Sequence, residues 1–392
     1  MRTKAASIAA WKKIRLKRAV TINNGKDYKS VESVDGYPVF GSGGVFAYSS
    51  EFLYNGEAIL LGRKGTVDKP LYVNGAFWTV DTMFYAIPLR GYHAKFIFYC
   101  SQTIPFDQYQ SDTAIPSMTQ SVLNNHEFLV PDYKLQKEIA DFLDRETDLI
   151  NQLIEKKEAF LLKASKRIES LVDKAISCQR VPRIRFENVV QRMQRSVNLS
   201  EYDELIRLGL YNKGRGIFKK PAADEEGMGD SKFFFVEPGD LILSGQFAWE
   251  GAVALATSKE DGCVVSHRYP IYRGKGSVNT AYLFGLLRSN FGDFILNEAS
   301  RGSAGRNRPL NTWRLGKEKI PIPEISLQEE IEQAVIFERR LREKTQRSID
   351  ILEEFRTSLI TEAVTGQLDI KSWKKRGSTD ERLDNIEESM QT

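Results

Sequence analysis

The hydrophobic pattern along the chain changes character twice, and both changes mark the same transition. From Leu135 to about Ile176 the positions Ile139, Phe142, Leu149, Leu153, Phe160, Ala164, Ile168, Leu171 and Ala175 advance by threes, fours and sevens. That spacing predicts one long helix with a single apolar seam. A second stripe stands 192 residues further on, at Ile331, Ala334, Leu341, Thr345, Leu352, Ile360 and Ala363, with Arg356 and Gln367 as polar breaks. Pro131 and Pro323 precede the two stripes at matching distances, and Ser326 is placed to cap the second helix. At about 1.5 Å per residue each helix is roughly 60 Å long, too long to leave its seam bare, so the two are expected to pair as a two-helix coiled coil between the globular units. Two independent surface helices, each packed on its own domain, are the alternative.

Ahead of each stripe the pattern shortens to that of strands. "GYPVFGSGGVFAYSSEFLYNGEAILLGRKG" from Gly36 and "KFFFVEPGDLILSGQFAWEGAVALA" from Lys232 alternate aromatic and β-branched runs with glycine turns, among them Pro238-Gly239. The segments also echo one another. "KIRLKRAV" from Lys13 returns as "RIRFENVV" from Arg183, "GEAILLG" from Gly56 as "GDLILSG" from Gly239, and "VPDYKLQKEI" from Val130 as "IPEISLQEEI" from Ile322. Three matches in order identify a tandem repeat, and the offset grows from 170 to 183 to 192 residues, so the second copy carries insertions. The expected fold is α+β: a strand-rich domain at 1–132, a helix at 133–178, a second strand-rich domain at 179–324, a helix at 325–366 and a polar, fraying tail at 367–392.

Composition narrows the chemistry. A chain of 392 residues, 41% of them hydrophobic, suits two domains with a core each. The net charge of +4 is small, so attraction to nucleic acid has to come from local clusters. Cys100, Cys178 and Cys263 are far apart and form no Cys-x-x-Cys pair, which points to reduced thiols in a cytoplasm rather than a disulfide framework or a zinc site. The apolar stretch near the amino terminus is short and broken by Ser7, unlike a signal peptide, and no run reaches the roughly 20 residues that span a bilayer.

Several enzymatic readings fail on residues. "LLGRKGTVDKP" at 60–70 has glycines around a basic pair but lacks the Gly-Lys-Ser/Thr and following helix of a P-loop; Asp68 and Pro70 oppose a helix start. No Pro-Pro occurs, so the Asn/Asp-Pro-Pro-aromatic loop of an adenine methyltransferase is missing. Pro131-Asp132 with Lys134 and Glu138 fits a strand exit and helix start better than a nuclease. His93, His126 and His267 share no metal-ligand spacing with Cys or a carboxylate.

The residues carry a resemblance. "YPVFGSGGVFAYSSEFLYNGEAILLGRKGTV" with "FWTVDTMFYAIP", and "GRGIFKKPAADEEGMGDSKFFFVEPGDLILSGQFAWEGAVALA" with "GCVVSHRYPIYR", resemble two forms of the target recognition domain in specificity (S) subunits of type I restriction-modification systems. "RTSLITEAVTGQLDI" from Arg356 is similar to the close of that family's second long helix. The resemblance implies a non-catalytic, cytoplasmic DNA-binding subunit whose two recognition domains are spaced by two long antiparallel helices, each domain reading half of a split double-stranded DNA target. It implies as partners two methyltransferase (M) subunits and restriction (R) subunits, which would supply the S-adenosylmethionine, ATP and magnesium chemistry; no cofactor is expected on this chain. A coiled-coil adaptor that binds proteins through its globular ends, and an orphan specificity subunit of a methylation-only system, are the alternatives.

Candidate DNA contacts follow from the repeat and from two basic clusters. Arg63 aligns with Gln246 and Lys64 with Phe247. Arg suits guanine and Gln suits adenine, so the exchange fits direct readout, although a solvated turn explains Arg63 and Lys64 equally well. "RLGLYNKGRGIFKK" supplies Arg207, Lys213, Arg215, Lys219 and Lys220; "RGSAGRNRPLNTWR" supplies Arg301, Arg306, Arg308 and Arg314; His267 follows "VVS" beside Arg268. The first-copy counterpart of the second cluster offers Gln108, Gln110, Ser111 and Thr119.

Overall fold

The stripe after Val130 folds as a helix because its apolar positions recur near 3.6 residues and no Pro or Gly interrupts them. In the computed structural model, which describes residues 11–109, 117–177, 181–302 and 308–373, this helix spans Tyr133–Ile176 and its counterpart Ile325–Val364. In chain order the helices used below are α1 (Ala94–Ser101), α2 (Gln120–Asn125), α3 (Tyr133–Ile176), α4 (Thr280–Leu287), α5 (Asn290–Ala299), α6 (Thr312–Lys317), α7 (Ile325–Val364) and α8 (Ile370–Trp373). The Asp132 carboxylate accepts from the Leu135 N–H at 3.0 Å and caps α3. The expected Ser326 cap is not one: α7 begins a residue earlier, and Glu324 stands before it where Asp132 stands before α3. Among the described residues no helix is long and apolar enough to cross a membrane.

The chain divides into two compact units, 1–156 with 347–392 and 157–346. Each contains half of both long helices. In unit 1 Arg356 donates to the Asn151 carboxamide at 2.7 Å and Trp373 packs edge-on to Phe142, so the two helix halves run antiparallel. In unit 2 the Ser165 hydroxyl donates to Glu338 at 3.0 Å, while Ile168 and Val172 share the neighbourhood of Gly285 with Ile331, again antiparallel. The seam differs by one residue from expectation in its middle. Leu149 and Phe160 are 36% and 53% exposed, while Ile150 and Leu161 are buried. A straight α-helix drifts by about 20° per heptad against a 3.5-residue repeat, enough to move the inner position to the next residue.

Unit 1 carries strands β1 (Lys12–Arg15), β2 (Val20–Asn24), β3 (Glu32–Ser33), β4 (Tyr37–Gly41), β5 (Gly44–Ser49), β6 (Tyr54–Gly62), β7 (Leu71–Thr79), β8 (Met83–Pro88) and β9 (Glu127–Val130). β1 pairs with β9, and the other seven form one sheet in the order β2-β8-β6-β7-β4-β5-β3. Unit 2 carries β10 (Arg183–Arg185), β11 (Val190–Met193), β12 (Leu205–Leu210), β13 (Ile217–Ala223), β14 (Phe233–Phe235), β15 (Leu241–Leu243), β16 (Val253–Leu255), β17 (Val264–Ser266), β18 (Ile271–Gly274) and β19 (Lys319–Pro321). β10 pairs with β19, and two four-stranded sheets have the orders β11-β18-β15-β16 and β13-β12-β17-β14.

These are one topology. The nine-residue β6 is represented in unit 2 by β14 and β15, broken by Val236 to Asp240 with Pro238 and a Gly239 at φ 88°; β7 is represented by β16 and β17, broken by the helical turn Ser258–Glu260. Substituting those pieces turns one strand order into the other, except for the short β3. The offset grows from 170 to 183 before Gly239, too large a step for the break at 237–239 alone, and the break at 256–263 falls within the stretch where it grows from 183 to 192. In both units the seam side of the sheet is closed by a helix, α1 or α4, under the long-helix pair.

The tail was expected to fray, and its first part does not. α8 folds back so that Trp373 is buried, with its indole N–H donating to Glu146 at 3.3 Å. One large aromatic side chain in a polar run is enough to anchor a turn through area burial. The rest of the tail, from residue 374, lies outside the described residues.

Candidate nucleic-acid interface

β6 ends at Gly62, where a Cβ would stand 2.4 Å from the Thr66 carbonyl oxygen and 2.6 Å from the Val67 Cα, so only glycine fits. The chain then turns without forming a helix. The Arg63 and Lys64 N–H groups donate to the Thr82 carbonyl at 2.9 and 3.2 Å, and the Arg63 carbonyl accepts from Met118 N–H at 2.9 Å. Thr119, next in sequence, caps α2 by accepting from Val122 N–H at 3.2 Å. Three segments therefore meet at this turn. The Arg63 guanidinium donates to the Asp81 carbonyl at 3.3 Å and lies 5.8 Å from the Phe84 ring centroid, while the Lys64 side chain is exposed.

Unit 2 builds a similar junction, with its anchoring bonds one residue earlier, on the glycine itself. A Cβ on Gly245 would stand 2.4 Å from the Arg268 carbonyl oxygen; its N–H donates to that oxygen at 2.6 Å, and its own carbonyl accepts from Leu310 N–H at 2.8 Å. Asn311, next in sequence, caps α6 by accepting from Arg314 N–H at 3.0 Å, as Thr119 caps α2. The Ser244 hydroxyl accepts from the N–H groups of Gln246 and Phe247 at 3.3 and 3.1 Å, which holds the turn and leaves both side chains exposed. His267 and Arg268 are exposed on the segment bonded to Gly245. Burial pushes the neighbouring Tyr269 phenol up, with Arg268 opposing, so it remains a neutral donor beside the junction.

The junction gathers Gln246, His267 and the segment beginning at Arg308, but Arg308 itself is occupied. Its guanidinium donates to the carbonyls of Ser300 and Asn297 at 3.2 and 3.4 Å and covers the Trp249 ring at 4.9 Å. Asn297 also donates to the Trp249 carbonyl at 3.3 Å, so Arg308 is a strut for the 246–250 turn. Arg301 is exposed and ion-paired with Glu298; Arg314 is exposed beside Trp313. Arg306, Gln110 and Ser111 lie outside the described residues. Gln108 is exposed, and Thr119 serves as a helix cap.

The other basic cluster is split. Arg207, on β12 opposite Val264, has its Nε shut from solvent without a partner among the described residues. Lys213 adopts φ 59° and donates its N–H to the Glu250 carbonyl at 2.9 Å. Arg215 donates to the Asn212 carbonyl at 3.1 Å and lines a cavity with Glu338, Arg339 and Arg342 of α7, facing the helix rather than the junction. Lys219 and Lys220 stand exposed on β13.

Sequence reasoning missed the support beneath this turn in unit 2. Asp240, fully buried just before β15, accepts from Arg195 at 2.8 and 3.2 Å and from Arg273 at 2.6 Å, with Glu237 bonded to both arginines. A buried carboxylate needs such pairing. The only signal was an acidic residue after Pro238-Gly239 in an otherwise apolar strand. Among the described residues no group of His, Cys, Asp and Glu could hold a metal ion.

Residues 9–162 match the family model of the type I restriction modification DNA specificity domain. A segment of 120 residues is 28% identical to the specificity subunit of the type I restriction enzyme EcoprrI of Escherichia coli, covering 30% of this chain and 30% of that protein. The match therefore spans under a third of the relative's length. A solved structure from work on complex assembly and conformational transition of the type I R-M system is similar at 14% identity and a TM-score of 0.50, over 92% of this chain and 98% of that one. The S subunit of M. genitalium aligns at 14% identity and a TM-score of 0.49, over 90% and 96%. At such identity the first of these establishes a shared fold across both units. With the specificity domain matched in residues 9–162 and a corresponding frame built in unit 2, the chain is similar to type I restriction-modification specificity subunits.

Proposed function

We propose that this chain is the DNA-reading, non-catalytic subunit of a type I restriction-modification complex in the cytoplasm, each unit binding one half of a bipartite duplex target. The observation that carries the reading is a glycine-ended turn present in both units, tied by one backbone bond to the connection between two strands and by another to the segment ahead of a short helix, but carrying different side chains. Arg63 and Lys64 in one unit correspond to Gln246 and Phe247 in the other. A catalytic pair would have to persist where its frame persists. Readers of two different words would not: Arg matches guanine O6 and N7, whereas Gln matches adenine N6 and N7.

On this reading two methyltransferase subunits and restriction subunits dock on the chain and bring S-adenosylmethionine, ATP and magnesium chemistry. The test is selection of duplexes carrying random words at variable separation by the full-length chain, followed by sequencing and a salt titration. Two short words at one fixed gap, with log K falling by roughly 0.9 per log unit of salt for each phosphate contact, are expected. Binding with no sequence preference and no salt dependence would remove the proposal in favour of a protein adaptor.

A further inference from the structure

The outer hairpins of the two units, β4–β5 and β12–β13, are equivalent. Each is joined to its sheet by a short parallel pairing, Val39 with Trp78 and Arg207 with Val264. Each also carries a bulge on its outer strand. In unit 1 Val39 pairs with Ala47 and Phe40 with Val45, leaving Phe46 extra; in unit 2 Ile206 pairs with Ala222 and Leu208 with Lys219, leaving Lys220 and Pro221 opposite Arg207. A bulge re-aims side chains and raises the local twist, and both strands use it to turn residues outward.

What they present differs. Unit 1 exposes Val45, Phe46 and Tyr48, with Phe46 56% exposed. The Phe46 ring is held, not loose: Tyr28 meets it edge-on at 5.3 Å and 90°, and Gly41 lies so close that a Cβ there would stand 3.3 Å from the ring. Unit 2 exposes Lys219, Lys220 and Pro221 at the same place. A ligand common to both units must then offer anionic groups to one edge and flat apolar faces to the other. Duplex nucleic acid does both: phosphates pair with lysines, and aromatic side chains enter between base steps or lie on sugars.

We infer that the outer strands of these hairpins are a second DNA contact in each unit, made by charge through Lys219 and Lys220 in unit 2 and by the Phe46 ring in unit 1. The inference rests on the proposed DNA reading. The probe is a duplex selected by the full-length wild-type chain, with 2-aminopurine placed at successive steps of the unit 1 word. If the wild type selects no duplex, the DNA reading fails and this contact with it. If it does, the K219A/K220A chain should lose about two units of salt slope while keeping both words, since each phosphate contact contributes roughly 0.9. Phe46→Ala should bind at least tenfold more weakly at unchanged slope and lose the 2-aminopurine fluorescence rise. Phe46→Trp, which retains a ring, should restore both, separating loss of the ring from loss of the fold. Wild-type affinity and slope in both the K219A/K220A and Phe46→Ala chains, or a Phe46→Ala defect that Phe46→Trp does not restore, would overturn the inference and leave the aromatic edge to a protein partner.

Discussion

Gln136 and Gln328 hold the same position in the two units and make the same bonds. Each carboxamide oxygen accepts the first N–H of the segment opening α1 or α4, from His93 at 2.9 Å and Asn279 at 2.8 Å, and each amide donates to the carbonyl of Pro131 or Pro323, at 3.0 and 2.8 Å. Both are buried, so Gln328→Leu should strand a backbone N–H and a carbonyl and lower stability by about 1–3 kcal/mol in urea unfolding. Glu338 offers a pH test. Burial raises its pKa, but Arg288 and Arg342 outweigh burial and the net shift is downward. A carboxylate depressed in the folded state stabilises above its unfolded pKa of about 4.3, and that contribution is lost as pH falls below it. Unfolding midpoints should therefore drop more steeply between about pH 5 and pH 3 for the wild type than for Glu338→Gln. Composition marked both Arg308 and Gln246 as readers, yet geometry divides them. Arg308→Ala should destabilise unit 2, whereas Gln246→Ala should leave thermal stability within about 0.5 kcal/mol and relax one base position, read by selection of random duplexes.

At the scale of elements, periodicity located both long helices to within a few residues of their ends, because a 3.6-residue stripe is a local property. It misjudged which residue of an adjacent apolar pair points inward, since that depends on helix twist and on the neighbour. Leu149→Gln should thus be nearly neutral, while Ile150→Ala should cost about 2–5 kcal/mol by cavity formation; denaturant unfolding of the two variants distinguishes them. The strands of unit 2 were harder to read. β14 and β15 continue one strand of unit 1 only after a Pro-Gly break, and nothing local says that pieces of three residues stack as one.

At the scale of the molecule, the proposed function makes the helices a spacer between two readers. Matched heptads inserted in α3 and α7 should lengthen the unread gap between the two words and leave the words unchanged; a folded variant with the original gap would remove the spacer role. Independence of the halves is the companion expectation. Substitutions at Arg63 or Lys64 should alter only the word of unit 1, and those at Gln246 only the word of unit 2, because the groups they touch lie within their own unit.

The sequence by itself determined the tandem repeat, the α+β class, the two seamed helices and the absence of familiar catalytic loops, since each is written in spacing or in the presence of particular side chains. It also pointed to the glycine-ended turns, because a steric requirement for glycine leaves a mark at one position. Only the tertiary structure decided which basic residues are free. Arg308 looks like Lys64 and Lys220 in a string of letters; what separates it is that carbonyls of Ser300 and Asn297 and the ring of Trp249, from another segment, already occupy its guanidinium group. The equivalence of the outer hairpins was likewise hidden, for solvent-facing edges keep backbone pairing without keeping side chains, and pairing is a long-range property.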